Sequence, residues 1–167
     1  EEFTHLDGKL LRHCLHETDL EGEWPEKQEK AILPFSLFDS DLIFGQGGRK
    51  QKKDRGLLAL DPAPTFDLVI VDEAHHIRNS DTFLHQGVRY FCDNAKAVLL
   101  MTATPVQLGS KDLFTLLNVV RPDLVIDENS FEQMAAPNRF INASCPGNLL
   151  PGNHRHCRIS SFMALLI

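Results

Sequence analysis

No part of the chain approaches the run of about 20 apolar residues that a membrane-spanning helix needs, so a helical span is excluded. The opening Glu-Glu-Phe-Thr-His has neither an initiator Met nor a basic-then-apolar leader. The chain is therefore expected to start inside a longer polypeptide. Cysteine is sparse: Cys14, Cys92, Cys145 and Cys157 stand far apart, with no Cys-x-x-Cys spacing. That excludes a disulfide-framed secreted module and reads as reduced thiols in a cytosolic protein. A surplus of positive charge is also missing, since the formal net charge is −6. The overall balance gives no support for a nucleic-acid binder and does not bear on a local basic groove. What remains is 167 residues, 43% hydrophobic and 24% charged, which suits one soluble globular domain or part of one.

Along the chain, Leu10, Leu11, Cys14 and Leu15 fall at helical spacing within residues 9–18. After a polar stretch broken at Trp24-Pro25, Ala31-Ile32-Leu33 reads as a short strand ended by Pro34. Ser36 is placed to cap a short helix carrying Leu37, Leu42 and Ile43. Residues 45–55, with three glycines and five basic side chains, read as a surface loop. Asp67 to Val71 is expected to be a central strand, because continuous apolar character implies burial on both faces of a parallel sheet. Residues 81–94 form a helix capped by Ser80 or Asp81, with Phe83, Leu84, Val88 and Phe91 inward. Ala97 to Met101 is the next strand, and the intervening chain suffices for a right-handed crossover between parallel strands. Ser110 to Val120 is amphipathic, and Ser130-Phe-Glu-Gln133 fits a capping box. From about residue 144 no period is sustained, and Pro146-Gly147 and Pro151-Gly152 punctuate the text. The apolar end, Phe162 to Ile167, has no obvious partner. Residues 144–167 are expected to be a poorly packed, non-native or disordered tail.

Chemistry concentrates at two strand ends. Phe66-Asp-Leu-Val-Ile-Val71 runs straight into Asp72-Glu73-Ala74-His75, and Ala97 to Met101 runs into Thr102-Ala103-Thr104-Pro105. In an open α/β sheet, ligands bind at the carboxyl ends of strands. Asp suits Mg²⁺ through oxygen or bound water, and Glu suits a base that orients or deprotonates water. An acidic pair alone also fits a solvated turn into the next helix. The longer string, together with a second strand ending in Thr-Ala-Thr, favours a Mg²⁺–nucleotide site.

These residues carry a family resemblance. Asp72-Glu73-Ala74-His75 resembles the Walker B, or DEAH, box of superfamily-two helicases, and Thr102-Ala103-Thr104-Pro105 resembles their motif III. Thr-Pro-Val-Gln107, followed by Leu116-Leu-Asn-Val-Val-Arg-Pro122, is similar to the Swi/Snf-like branch, as is His76-Ile-Arg-Asn79. The match is best over residues 66–126 and weaker from about 31. It implies an α/β fold, a partial RecA-like parallel sheet with flanking helices over residues 1–143. It also implies an ATP-dependent motor on double-stranded DNA. Asp72 would hold Mg²⁺, Glu73 would activate water, and both would face ATP. His75, Thr102 and Thr104 would couple the nucleotide to the DNA contact.

The family pattern is incomplete here. A phosphate loop needs Gly-x-x-x-x-Gly-Lys-Ser/Thr, and none of the eight lysines precedes Ser or Thr. The second RecA-like lobe is also missing from this sequence. The chain alone is thus expected to be inactive. An inactive remnant serving as an interaction module, and a fragment of a DEAH-type RNA helicase, are the alternatives. Two further clusters, His5/His13/Cys14/His16 and Cys145/His154/His156/Cys157, lack zinc-finger spacing. Arg49, Lys50, Lys52, Lys53 and Arg55 read as a solvated loop or as contacts to DNA phosphates.

Overall fold

The computed structural model describes residues 2–45, 55–103, 110–123, 127–135 and 162–166. Its elements, in chain order, are β1 (Thr4–His5), α1 (Gly8–Glu21), β2 (Lys30–Pro34), α2 (Ser40–Phe44), β3 (Phe66–Val71), α3 (Phe83–Asp93), β4 (Ala95–Leu100), α4 (Ser110–Val120), α5 (Glu128–Ala135) and β5 (Phe162–Leu166). Single 3₁₀ turns cover Phe35–Leu37, Leu57–Ala59 and Ala74–Ile77.

The fold is α/β and partial RecA-like, with one five-stranded sheet ordered β1-β2-β5-β3-β4. β1 runs parallel to β2, and β3 parallel to β4 in the register Phe66↔Ala95 to Val71↔Leu100. The β3–α3–β4 segment is thus the expected crossover unit. The expected burial of β3 on both faces is met only in part, since Leu68 and Ile70 are half-buried. Phe66, Val69 and Val71 are fully buried, and α3 lays Val88, Phe91 and Cys92 against them in one core. Trp24 anchors that core edge-on to Phe66 and Phe91, with centroids at 5.6 and 6.3 Å, while its indole N–H donates to Gln28 O at 3.0 Å. Such aromatic pairs add about 0.5–1.5 kcal/mol each beyond their buried area. Gly87 lets α3 pack close, because a Cβ there would sit 2.2 Å from Phe38 Cδ1.

Several local expectations are corrected. β5 lies inside the sheet, antiparallel to β2 on one side and to β3 on the other. Met163 is fully buried. Residues 162–166 are therefore part of the sheet and not a loose tail; the rest of the expected tail, 144–161, lies outside the described residues. The apolar run had no visible partner because its partners are distant in sequence. The helix after β2 is capped by Asp39, which accepts from Leu42 N at 2.8 Å, and not by Ser36. Thr82, whose hydroxyl accepts from His85 N, caps α3 in place of Ser80 or Asp81. Asp127 accepts from Ser130 N at 2.7 Å, so Ser130 is inside α5 and opens no capping box. In each case a neighbouring Asp or Thr outcompetes a Ser that lies within three residues. Phe83 is 40% exposed, paired edge-on at 6.0 Å with the still more exposed Phe44. β4 pairs, among the described residues, only with β3, and Leu99 on it is 47% exposed.

Candidate nucleotide site at the ends of two parallel strands

β3 and β4 end side by side because of two backbone hydrogen bonds to one residue. Met101 N donates to Val71 O at 2.8 Å, and Ala74 N donates to Met101 O at 2.8 Å. The second bond reaches past the strand and grips the turn that carries Asp72 and Glu73. The acids and Thr102 therefore leave the sheet at one place. Thr104 lies outside the described residues.

The turn itself is sharp. Glu73 adopts φ 49°, ψ 47°, and it is the one non-glycine residue with positive φ among those described. That left-handed conformation costs an L-residue about 1–2 kcal/mol. It is held from both sides. Before it, Asp72 Oδ1 accepts from Glu73 N at 2.9 Å. After it, Ala74 and Ile77 are fully buried and fix the 3₁₀ turn in the core. Strain of this kind persists where the surroundings over-determine it, and it clusters at functional sites.

The histidines of the turn divide their work. His75 Nδ1 lies 3.2 Å from Glu73 Oε2, with side chains 29% and 21% exposed. That atom is nonetheless buried without a hydrogen-bond partner, so the approach is close but misaligned. His76 is exposed and packs edge-on against Phe35, at 6.1 Å, linking the turn to the segment after β2. Desolvation and then the neighbouring His75 hold the His76 imidazole below its ordinary pKa, against the upward pull of Glu73. Arg78 reaches Asp112 of α4 at 3.7 Å, a long, largely solvated pair worth little.

One positioning residue escaped the sequence reading. His85, 5% exposed, places Nδ1 2.7 Å from Ile77 O and so pins the far end of the turn to α3. Its signal was a histidine three residues before Val88 and seven before Cys92, on the buried stripe of α3.

The donor chemistry suits a hard cation. Asp72 and Glu73 offer carboxylate oxygens, and the described residues contain no cluster of three or more ligating side chains. Two carboxylates fit Mg²⁺ completed by water and phosphate oxygens, and they do not fit a closed protein cage. The other metal candidates fail on geometry where they can be seen. His13 and His16 face solvent while Cys14 is fully buried. Burial and then Glu17 push the Cys14 thiol up to about 11, and burial and then Asp93 push Cys92 up to about 12, so both act as core packing. The cluster at 145–157 and the basic residues 49–53 lie outside the described residues, and Arg55 pairs with Asp19 at 2.9 Å.

The SNF2-related domain family matches residues 51–158. The uncharacterized ATP-dependent helicase YqhH of Bacillus subtilis is 36% identical over 137 residues, 77% of this chain and 23% of that protein. The RNA polymerase-associated protein RapA of Pasteurella multocida is 41% identical over 71 residues, 41% of this chain and 7% of that protein. The ISWI chromatin-remodeling complex ATPase ISW1 of Saccharomyces cerevisiae is 37% identical over 67 residues, 40% of this chain and 6% of that protein. The chain thus spans less than a quarter of these relatives. No helix among the described residues is long and apolar enough to cross a membrane. The chain belongs to the SNF2-related family, the Swi/Snf-like branch of the superfamily-two helicase-like ATPases.

Proposed function

We propose that this chain carries the Mg²⁺-facing half of the ATP site in the first RecA-like lobe of a Swi/Snf-like DNA motor. The carrying observation is the double tie of Met101 to Val71 and Ala74, which brings the acids and Thr102 to one sheet end. In this reading Asp72-Glu73-Ala74-His75 is the Walker B box, and Thr102 to Thr104 is motif III. Bound Mg²⁺–ATP would supply the phosphoryl group and its electrophilic phosphorus. Asp72 would hold the metal through oxygen or water, and Glu73 would take a proton from the attacking water. His75, Thr102 and Thr104 would act as positioning residues between the nucleotide and the track. The names of the relatives, an ATP-dependent helicase and a chromatin-remodeling ATPase, support ATP as the nucleotide and double-stranded DNA as the track. The DEAH-type RNA helicase reading is disfavoured by the same names.

The test is made in a complete protein containing this segment. Glu73→Gln is expected to keep ATP affinity and to lose about 10²–10⁴-fold in single-turnover hydrolysis, the usual cost of removing a general base. Asp72→Asn should weaken Mg²⁺–ATP retention instead, since an amide is a poorer ligand for a hard cation. Hydrolysis at the parent rate in Glu73→Gln sinks the reading.

The chain by itself has no Gly-x-x-x-x-Gly-Lys-Ser/Thr segment. That observation favours a second reading for the isolated polypeptide, an interaction module without turnover. ATP hydrolysis by the isolated chain that Glu73→Gln abolishes would refute it.

A further inference from the structure

The sheet contains a gap shaped for one more strand, and the chain fills it with residues far from its walls. β2 and β3 point the same way, since each is antiparallel to β5. They are also in phase. Met163 is opposite both Leu33 and Val71, Ala164 opposite both Ile32 and Ile70, and Leu165 opposite both Ala31 and Val69. A single peptide register thus satisfies both walls. Ala31, Leu33, Val69, Val71 and Met163 are all fully buried, so the position of Met163 accepts an apolar residue and no charge.

We propose that the space between β2 and β3 is a strand-acceptor site for a short, uncharged, proline-free apolar peptide, and that residues 162–166 are its separable occupant. Three observations support separability. β5 lies beyond the family match, which ends at residue 158. Its two walls pair with it but not with each other. In sequence, the stretch before it carries Pro146-Gly147 and Pro151-Gly152, dipeptides that favour turns. Recognition would rest on main-chain hydrogen bonds along both edges, with the side chain at 163 giving selectivity. Proline is excluded because every N–H in a central strand is needed for the ladder.

The test uses the full chain with a protease site placed between residues 147 and 158. In the uncut protein, amides of 162–166 should be as protected from hydrogen exchange as those of 66–71. After cleavage the C-terminal piece should co-elute with the body. A fluorescein-labelled peptide of residues 161–167 should then replace it saturably, read by anisotropy. The same peptide with Met163→Lys should bind about a hundredfold more weakly, because an unpaired charge is costly to bury. Four results overturn the proposal. They are fast exchange at 162–166 in the uncut chain, release of the piece with 30–34 and 66–71 still protected, unfolding on cleavage, or equal binding of both peptides.

Discussion

Glu73 offers a direct test of the energetic cost of its left-handed backbone at the strand end. Two substitutions remove the same side chain and the same approach to His75 Nδ1 at 3.2 Å. Glu73→Ala keeps a Cβ and so keeps the cost of φ 49°, about 1–2 kcal/mol. Glu73→Gly relieves that cost but loses about 0.4–1 kcal/mol through greater freedom of the unfolded chain. The difference favours Gly over Ala by about 0.5–1 kcal/mol, opposite in sign to the helix-interior rule, where Ala wins by about 1 kcal/mol. For a chain of this size it should appear as a Gly variant melting about 1–4 °C above the Ala variant. The assay is paired thermal and urea unfolding of both variants, read by circular dichroism. The lost His75 contact cancels in the comparison, so it cannot produce the sign. An Ala variant equal to or more stable than the Gly variant would show that the turn is unstrained. The structural case for residue 73 as a held, functional position would then fail.

Other expectations follow from packing and charge. Gly87→Ala should destabilise by about 1–2 kcal/mol in urea unfolding, since overpacking against Phe38 at 2.2 Å and Ile43 at 3.0 Å outweighs the helix-propensity gain. His85→Phe, which keeps the bulk but leaves Ile77 O without its partner, should cost about 1–3 kcal/mol and speed hydrogen exchange across 74–77 before the rest of β3. His76, whose pKa is held below 6.5 in the folded chain, takes up its proton more readily when unfolded. Its contribution is therefore fully present above pH 6.5 and declines as pH falls below that value, and His76→Asn should flatten that part of the stability–pH curve. A slope unchanged by the substitution would assign the acid sensitivity to other groups.

How much of this was legible in the residues depended on how far each signal had to reach. β3, α3 and β4 were readable because a continuous apolar run, a 3.6-residue period and a sufficient crossover are local facts. The acids at the strand end were readable for the same reason. The tie through Met101 was not, because main-chain hydrogen bonds leave no mark on side-chain identity. Caps were misplaced wherever two capping residues stood close together, as with Ser36 and Asp39. There the choice is set by where the buried stripe begins, at Leu42 and Ile43. Phe83 looked inward by type, but α3 turns Val88 and Phe91 to the core and leaves Phe83 over Phe44. β5 was the largest miss. Its five residues carry no period long enough to read, and both its walls lie far away in sequence.

That distance has a consequence for the order in which the molecule assembles. Ala164 meets Ile32 and Ile70, partners roughly 130 and 90 residues away, so the middle of the sheet is its least local part. Chain closure over such spans costs only logarithmically more in free energy as the loop grows, but it delays the event. The β3–α3–β4 unit, whose contacts are nearer in sequence, is expected to form before the centre is sealed. Until then β2 and β3 each present an open apolar edge, the kind of surface through which partly folded chains find one another. On this basis the sheet should close from its flanks inward, and the yield of folded protein should fall as refolding concentration rises.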